Sequence, residues 1–215
     1  MSTPTLIPAI ELPLTREMAE EQAAHNLRQL NGNSTLSDLR EEFLQALQQP
    51  IALKGRMNRV LRIADQMSRV VAPHTACRTG CSYCCHTSVA VSMLEAQLIG
   101  EHIGKDPLKV PARQSRAETA HYHRQPCPFL ADGKCSIYAA RPMACRFMFN
   151  LADSAYFCNT AIDPEDSHVS LLNLKDLELA FTGTFLEAGY ADIRDLFPDG
   201  ADRKHSKGGR NKVRR

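Results

Sequence analysis

The sequence predicts a mainly α fold, in which a helical scaffold surrounds a loop-rich region that contains the cysteines. Apolar residues recur at helical spacing over most of the chain, and residues that cap helices stand where these stretches begin. Alternation of apolar and polar residues, as in a strand, never extends beyond three or four positions. Residues 125–160 combine prolines, a glycine and four cysteines, which predicts turns and short helical pieces there.

The first three predicted helices contain no cysteine and form the scaffold. Thr15 is the expected cap of a helix that ends at the Asn31-Gly32 pair. Thr35 opens a second helix, whose apolar residues keep a helical spacing until Pro50. A third helix is predicted over residues 51–70, where the apolar side chains share one face.

Later in the chain, helices are predicted to alternate with turn-rich backbone. Residues 92–104 are predicted to be helical, because Ser92 and Glu95 have the spacing of a capping box. Residues 111–123 are polar and are also predicted to form a helix. A long helix is expected over residues 163–188, because acidic residues stand at its start and a glycine follows its end.

The charge distribution separates a body from a tail. The formal net charge is +2, but residues 203–215 carry seven Lys and Arg residues and no acidic residue. We expect a flexible N-terminal arm at residues 1–14, a single helical domain at residues 15–202 with its cysteine region at about 74–160, and a basic disordered tail.

Neither a signal sequence nor a membrane-spanning segment is predicted. The first residues lack a basic stretch, and prolines interrupt their apolar run. No apolar run approaches the roughly 18 residues that a membrane-spanning helix needs. We therefore expect a cytoplasmic protein, and thiols stay reduced in that compartment.

The eight cysteines form one dense group and one looser series. Residues 77–85 read Cys77-Arg-Thr-Gly-Cys81-Ser-Tyr-Cys84-Cys85, and the other four are Cys127, Cys135, Cys145 and Cys158. In a reducing compartment, such density favours metal binding over disulfides. The short spacings let successive thiolates turn toward one centre, and Gly80 permits the positive φ that such a loop often needs. The eight cysteines are therefore the predicted metal ligands.

The spacing favours an iron–sulfur cluster, most simply a 4Fe-4S cluster, over Zn²⁺ and leaves both open. Zinc sites typically use two close pairs of ligands, and Cys81 with Cys84 is the one such pair here. A cubane cluster accepts three cysteines from a short loop and a fourth from a distant segment. The adjacent Cys84 and Cys85 cannot easily direct both thiolates to one small ion. One of the two therefore serves a second centre, stays free or exchanges with the other.

Basic residues near the cysteines are expected to support the site. Arg141 and Arg146 each lie within four residues of a cysteine, and we predict that they contact the bound cofactor by charge or by hydrogen bonds to sulfur. Arg78 suits a surface position equally well. His74 and His86 flank the dense group, but a surface or capping role is favoured over metal ligation.

Two other chemistries fit the sequence less well. Radical S-adenosylmethionine enzymes share the Cys-x3-Cys-x2-Cys spacing, but the residues after Cys84 supply only roughly four βα units of such a barrel. The strands and the glycine-rich motif of that family are also missing from the sequence. Nucleophilic catalysis needs one activated thiol with a paired histidine. No catalytic constellation is identified, so it stays open whether the protein is an enzyme, such as an oxidoreductase-like iron–sulfur protein.

Two segments resemble the YkgJ-type cysteine-cluster family. They are residues 77–86, followed by the Ser92/Glu95 helix, and Cys127-Pro-Phe-Leu-Ala-Asp-Gly-Lys-Cys135 with Arg141-Pro-Met-Ala-Cys145-Arg146. The family's domain is described as zinc- or iron-chelating, and its first motif is CxxCxxCC. This chain has three residues, instead of two, between the first two cysteines. The resemblance covers about residues 74–160 and implies a metal site made by both segments. A similar cluster in flagellin lysine N-methylases implies protein modification as a more distant possibility.

These observations predict a metal-binding cysteine-cluster protein. We expect an iron–sulfur cluster with a redox, electron-transfer or metal-handling role. The alternative is a non-catalytic module that Zn²⁺ stabilises and whose basic tail contacts RNA or an acidic partner. The tail itself is better explained as a solubilising end, and no membrane partner is expected.

Overall fold

Helices form most of the regular structure in the part of the chain that a computed structural model describes, residues 13–78, 80–110, 118, 120–185, 187 and 189–200. The α-helices are α1 (Arg16–Asn31), α2 (Ser34–Leu47), α3 (Leu53–Val71), α4 (Met93–Ile103), α5 (Met143–Arg146), α6 (Lys175–Phe185) and α7 (Ile193–Leu196). Short 3₁₀ helices cover Ala72–His74, Tyr83–His86, Ala120–Tyr122, Tyr138–Ala140 and Tyr156–Cys158. The predicted mainly α class is confirmed.

The N-terminal helices follow the prediction closely. The Thr15 side chain caps α1 as expected. Helix α2 is capped by Asn33 instead of Thr35, because the Asn33 side chain accepts a hydrogen bond from the Leu36 N–H at 3.0 Å. One face of α3 is buried against α2 and α5, and burial of each large apolar side chain contributes about 1.5–3 kcal/mol. The buried side chains of α3 are Met57, Val60, Ile63, Ala64, Met67 and Val71.

Helix α4 begins at the predicted capping box. The Ser92 hydroxyl accepts a hydrogen bond from the Glu95 N–H at 3.2 Å, and the Glu95 carboxylate accepts one from the Ser92 N–H at 2.9 Å. Its other carboxylate oxygen accepts a hydrogen bond from the Met143 N–H at 2.7 Å. Glu95 therefore fixes the start of α5 as well as the start of α4.

Two small antiparallel sheets join distant or turn-linked segments. Strand β1 (Ala90–Ser92) pairs with β4 (Tyr190–Asp192). Strands β2 (Leu130–Ala131) and β3 (Lys134–Cys135) form a hairpin. Its two-residue turn, Asp132-Gly133, has φ values of +49° and +71°, which is the pattern of a type I′ turn.

The long helix predicted over residues 163–188 is wrong in its first half, because α6 covers only the later part. Residues 170–172 are extended and pair with residues 149–151 through two backbone hydrogen bonds of 2.8 and 3.0 Å. These bonds satisfy backbone groups that a helix would otherwise satisfy. They also hold the backbone on both sides of Asn150.

A second apolar cluster, which we call the second core, lies beside the cysteines. Its members are Val89, Val91, Ala96, Ile99, Phe129, Ile137, Ala191, Ile193, Leu196 and Phe197. The rings of Phe129 and Phe197 meet edge to face with their centroids 5.4 Å apart. Cys127, Cys135 and Cys145 pack against this cluster, so the later cysteines are positioned by apolar packing.

Several predicted segments lie wholly or partly outside the described residues. The tail at residues 203–215 lies outside them, and so does most of the arm at residues 1–14. Most of the polar helix predicted over residues 111–123 is also outside them, and residues 120–122 form a 3₁₀ helix. The division into arm, domain and tail stays a prediction. In the described part of the chain, no helix is long and apolar enough to span a membrane.

Candidate metal centre

Six of the eight cysteines line one cavity of about 340 Å³, which we call the cysteine cavity. They come from both cysteine segments: Cys81, Cys84, Cys85, Cys127, Cys135 and Cys145. Apolar side chains of Val89, Phe129, Ile137 and Ile193 form part of its wall. All eight cysteines are free thiols. The fold therefore brings together the two segments that the sequence predicts to share a site.

The dense cysteine group adopts a tight loop. Gly80 has a φ of +94°, a conformation that glycine adopts without a steric penalty. After it, Tyr83–His86 form a short 3₁₀ helix, which begins with a hydrogen bond from the Cys85 N–H to the Ser82 carbonyl at 2.9 Å. A 3₁₀ helix has three residues per turn, so the side chains of Cys84 and Cys85 project about 120° apart.

The later cysteine segment lies directly beside this loop. The Cys127 N–H donates a hydrogen bond to the Cys85 carbonyl at 2.7 Å. The β2–β3 hairpin then carries Cys135 to the cavity, and the short helix α5 carries Cys145. Neighbouring backbones, a hairpin and one helical turn thus assemble thiols that are far apart in the sequence.

The remaining two cysteines, Cys77 and Cys158, meet at Asn150. The Asn150 N–H donates a hydrogen bond to Cys77 Sγ at 3.4 Å, and Asn150 Nδ2 donates one to Cys158 Sγ at 3.3 Å. Its Oδ1 accepts a hydrogen bond from the Ala152 N–H at 3.1 Å. Hydrogen bonds from N–H groups to sulfur orient metal-binding thiolates and tune their charge. The sequence analysis missed Asn150, because no local pattern links a loop asparagine to two distant thiols.

Cys84 and Cys85 differ in acidity because their thiols contact each other. The hydrogen bond from Cys85 is the main cause that lowers the pKa of Cys84 to about 7, and the charge of Arg141 contributes to this shift. The same hydrogen bond, together with burial, raises the pKa of Cys85. The Cys84 thiolate is therefore populated near neutral pH, whereas Cys85 keeps its proton.

Burial raises the pKa of the other thiols whose shifts are resolved. It raises the pKa of Cys127 to about 11 and, with the charges of neighbouring thiolates, that of Cys158 to about 12. The pKa values of Cys77, Cys135 and Cys145 are raised as well. These thiols are protonated near neutral pH, so a bound metal has to displace their protons.

Arg141 brings a positive charge to the cysteine cavity. Its guanidinium lies 4.1 Å from the centroid of the Tyr138 ring and 3.8 Å from the Asp65 carboxylate. Its charge lowers the pKa of four thiols, those of Cys77, Cys84, Cys135 and Cys145. Arg78 and Lys134 also line the cavity. This position suits the predicted role of Arg141 beside a bound cofactor, which stays a prediction.

Arg146 does not line the cysteine cavity, and all of its guanidinium nitrogens except Nη1 make hydrogen bonds within the fold. Its guanidinium is 2% exposed and donates to the two carboxylate oxygens of Asp65 at 2.9 and 3.3 Å. It also donates to the Ala139 carbonyl at 3.0 Å. Arg146 therefore ties α5 to α3, and its predicted contact with a cofactor stays a prediction.

Arg194, which the sequence analysis did not identify, holds the two cysteine segments together from behind the cavity. Its buried Nη2 donates to the Gln125 carbonyl at 2.7 Å and to the Cys85 carbonyl at 3.2 Å. Its Nη1 donates to Asp192 Oδ1 at 3.1 Å. The sequence shows that Asp192 can cap a helix, but the carbonyls that Arg194 reaches belong to distant residues.

The two histidines beside the dense group do not line the cysteine cavity in the described part of the chain. His86 Nδ1 lies 3.1 Å from the Ser82 carbonyl, so its ring makes a hydrogen bond within the dense loop. His74 ends the short 3₁₀ helix that follows α3. These positions agree with the surface or capping role that the sequence analysis favoured.

The donor set of the cavity fits a thiophilic metal or cluster. Free thiols, an apolar wall and nearby cationic side chains are the surroundings that stabilise metal thiolates. Among the described residues, however, no three His, Cys, Asp or Glu side chains converge closely enough to hold one metal ion as they stand. Binding therefore requires thiols to turn about their Cα–Cβ bonds as they lose their protons.

Comparison with known families agrees with the cysteine pattern. Residues 76–162 match the model of the CxxCxxCC family, which is described as "Putative zinc- or iron-chelating domain". All eight cysteines lie within the matched residues. No curated protein and no solved structure matches the chain. The resemblance predicted from the sequence is therefore confirmed over residues 76–162.

Proposed function

We propose that this protein holds an iron–sulfur cluster in the cysteine cavity and uses it for electron transfer. The observation that carries the proposal is the cavity itself, because its six thiols surround about 340 Å³, far more space than one ion needs. The short loop and the later segment each contribute three of these thiols, and a cubane cluster accepts ligands from a short loop together with a distant segment. A cluster bound there would supply one-electron transfer.

The side chains around the thiols are suited to hold such a group. Four thiolates and a cluster core carry net negative charge, and Arg141, Arg78 and Lys134 offset it at the cavity wall. Apolar side chains such as Phe129 and Ile137 limit the access of water from one side. Burial, hydrogen bonds and nearby charge are the features that set a cluster's reduction potential.

A redox partner can approach the site from the side of Cys84. Cys84 is exposed, whereas the other seven cysteines are half-buried. Electron transfer between proteins uses small, transient contacts, so an exposed edge of a few residues is sufficient. We therefore place the surface for electron exchange around Cys84, Arg78 and Lys134.

Metal analysis after anaerobic purification tests this proposal. We expect iron and acid-labile sulfide in equal amounts, a brown colour, and a paramagnetic resonance signal that appears or disappears on reduction. Cys145→Ser should bind less iron than the wild-type chain, whereas Ser88→Ala, at an exposed position close to the loop, should keep all of it. Colourless protein with stoichiometric zinc and no iron would contradict the iron–sulfur proposal.

A zinc-stabilised binding module is the second candidate. The family description includes zinc, and residues 203–215 carry seven basic residues that can contact RNA or an acidic partner. In this candidate the metal holds the fold and the tail makes the contact. If so, affinity for a generic single-stranded RNA should fall steeply with salt and disappear when residues 203–215 are deleted. An affinity that survives the deletion excludes the tail as the contact.

A further inference from the structure

Cys84 and Cys85 are adjacent in the chain but are fixed to different parts of the molecule. Both belong to the 3₁₀ helix Tyr83–His86, where successive side chains project about 120° apart. The Cys85 carbonyl accepts a hydrogen bond from the Cys127 N–H at 2.7 Å, in the later segment. The Cys84 carbonyl accepts one from the Thr87 hydroxyl at 2.9 Å, within its own loop. Cys85 is therefore bonded to the later cysteine segment, whereas Cys84 is bonded within the dense loop.

Four cysteines gather at the second core, and we call them the core set. Three of them pack directly against its apolar side chains. The fourth, Cys85, is joined to Cys127 by the backbone hydrogen bond, and all four line the cysteine cavity. The core set is Cys85, Cys127, Cys135 and Cys145.

The other four cysteines, which we call the loop set, either belong to the dense loop or contact Asn150, and two of them also line the cysteine cavity. Three of them share the loop at the Cys-x3-Cys-x2-Cys spacing. The fourth joins them because Asn150 donates hydrogen bonds to Cys77 Sγ and Cys158 Sγ at 3.4 and 3.3 Å. The loop set is Cys77, Cys81, Cys84 and Cys158.

Two sets of four thiols match the needs of two metal centres. One zinc ion or one cubane cluster takes four protein thiolates. A single centre would use only half of the thiols and would leave one of two adjacent cysteines without a metal. Arg141 lines the cysteine cavity, so its charge can offset the negative charge of both centres.

We propose that the protein binds two metal centres, one in the loop set and one in the core set, and that the Cys84–Cys85 pair supplies one thiolate to each. This inference rests on the proposed function only in that the cysteines bind metal, and it holds for clusters and for single ions. For a single divalent ion, each thiol releases its proton to solvent and donates an electron pair to the metal. No oxidant or reductant is consumed in that step.

Titration of the metal-free full chain with cobalt(II), under anaerobic and reducing conditions, tests the number of centres. Thiolate-to-cobalt absorption counts the equivalents bound, and we expect two. Cys158→Ser, in the loop set, and Cys127→Ser, in the core set, should each bind one. The control Ser88→Ala should bind two.

Double variants test the assignment of the adjacent pair. Cys84→Ser with Cys158→Ser removes two ligands of the same centre, so one equivalent should remain. Cys84→Ser with Cys127→Ser removes one ligand from each centre, so neither equivalent should remain. A variant that still binds one equivalent of cobalt is folded around the remaining centre. The loss of the other equivalent is then due to the missing ligand and not to unfolding.

Each contrary result has a distinct meaning. One equivalent in the wild-type chain overturns the two-centre proposal and leaves the proposed function intact. Loss of both equivalents in a single variant shows that the sets are not independent, and it also overturns the proposal. One equivalent retained in the Cys84/Cys127 double variant overturns the division of the pair. A wild-type chain that binds no cobalt, and that carries no iron or zinc when purified, overturns the proposed function as well.

Discussion

The helical scaffold and the cysteine region are stabilised in different ways. The scaffold, α1 to α3 with α6, consists of regular helices that share one large apolar core. In its described residues, the cysteine region, residues 76–162, contains one longer helix, α4, and otherwise has turns, strands of two or three residues and helices of three or four residues. Apolar burial accounts for the first. The second combines a smaller apolar core with side-chain hydrogen bonds, buried ion pairs and, in our proposal, bound metal.

This difference indicates that metal binding and folding are coupled in only one of the two regions. Long amphipathic helices that bury their apolar faces are stable without a ligand. A loop-rich region with eight free thiols gains much of its order when those thiols share a metal. The scaffold can therefore stay folded while the cysteine region changes.

Removal of metal should change the stability of the molecule more than any other perturbation, and the change should be confined to the cysteine region. In a metal-free chain kept reduced, we expect amide hydrogen exchange in the cysteine region to accelerate on the order of a hundredfold or more, because structural metal sites contribute about 10 kcal/mol. Exchange in α2 and α3 should change little. Hydrogen exchange with mass spectrometry compares both regions in one sample. Equal acceleration in the scaffold would show that the two regions unfold together.

Loss of the Asp65 carboxylate should cause the next largest decrease in stability, because it breaks the ion pair that joins α3 of the scaffold to α5 of the cysteine region. Asp65→Ala leaves the buried Arg146 guanidinium without its ion-pair partner, and we expect a cost of about 3 kcal/mol. The matched control is Asp176→Ala, which removes the exposed ion pair with Arg40 and should cost less than about 1 kcal/mol. Urea unfolding of the metal-loaded protein measures both. Equal costs would show that burial does not distinguish the two ion pairs.

Acid should weaken metal binding in the cysteine region, with a contribution from each thiol that follows its pKa. The pKa values of Cys127 and Cys158 are raised to about 11 and about 12, so both thiols lose a whole proton on binding metal at any pH below about 9. Each then adds about one factor of ten in affinity per pH unit. Cobalt(II) affinity of the wild-type chain should therefore rise with pH.

Cys84 makes this pH prediction sharper. Its pKa is lowered to about 7, so it contributes to the slope below pH 7 and little above pH 8. Competition with a chelator between pH 6 and 8.5 measures the slope. A slope in the wild-type chain that stays constant across pH 7 would contradict the distinct acidity of Cys84.

The scaffold could be predicted from the sequence because its signals are local. Thr15, the Ser92/Glu95 capping box and the apolar spacing each act within one or two helical turns. The cysteine cluster was also visible, because four thiols within nine residues leave few alternatives. Gly80 adopts the positive φ that its place in the loop suggested.

The parts that could not be predicted depend on contacts between distant residues. The helix expected from residue 163 gives way to extended backbone, because residues 170–172 pair with residues 149–151. Asn150 and Arg194 reach thiols and carbonyls far away in the sequence. By contrast, the Asp132-Gly133 pair is a local signal of a two-residue hairpin turn, and it could have predicted the hairpin that carries Cys135.

The same substitution, glycine to alanine, should lower the free energy of unfolding in the cysteine region and raise it in the scaffold. Gly133 has a φ of +71° in the hairpin turn, so Gly133→Ala places a side chain in a left-handed conformation and should cost about 1 kcal/mol. Gly183 lies in α6, and a Cβ added there would meet no atom within 4 Å. Gly183→Ala should therefore stabilise the protein by about 0.5 kcal/mol, because alanine favours the helix. Urea unfolding of both variants measures the sign, and a loss of stability in Gly183→Ala would show that the scaffold is not limited by local helix propensity at this position.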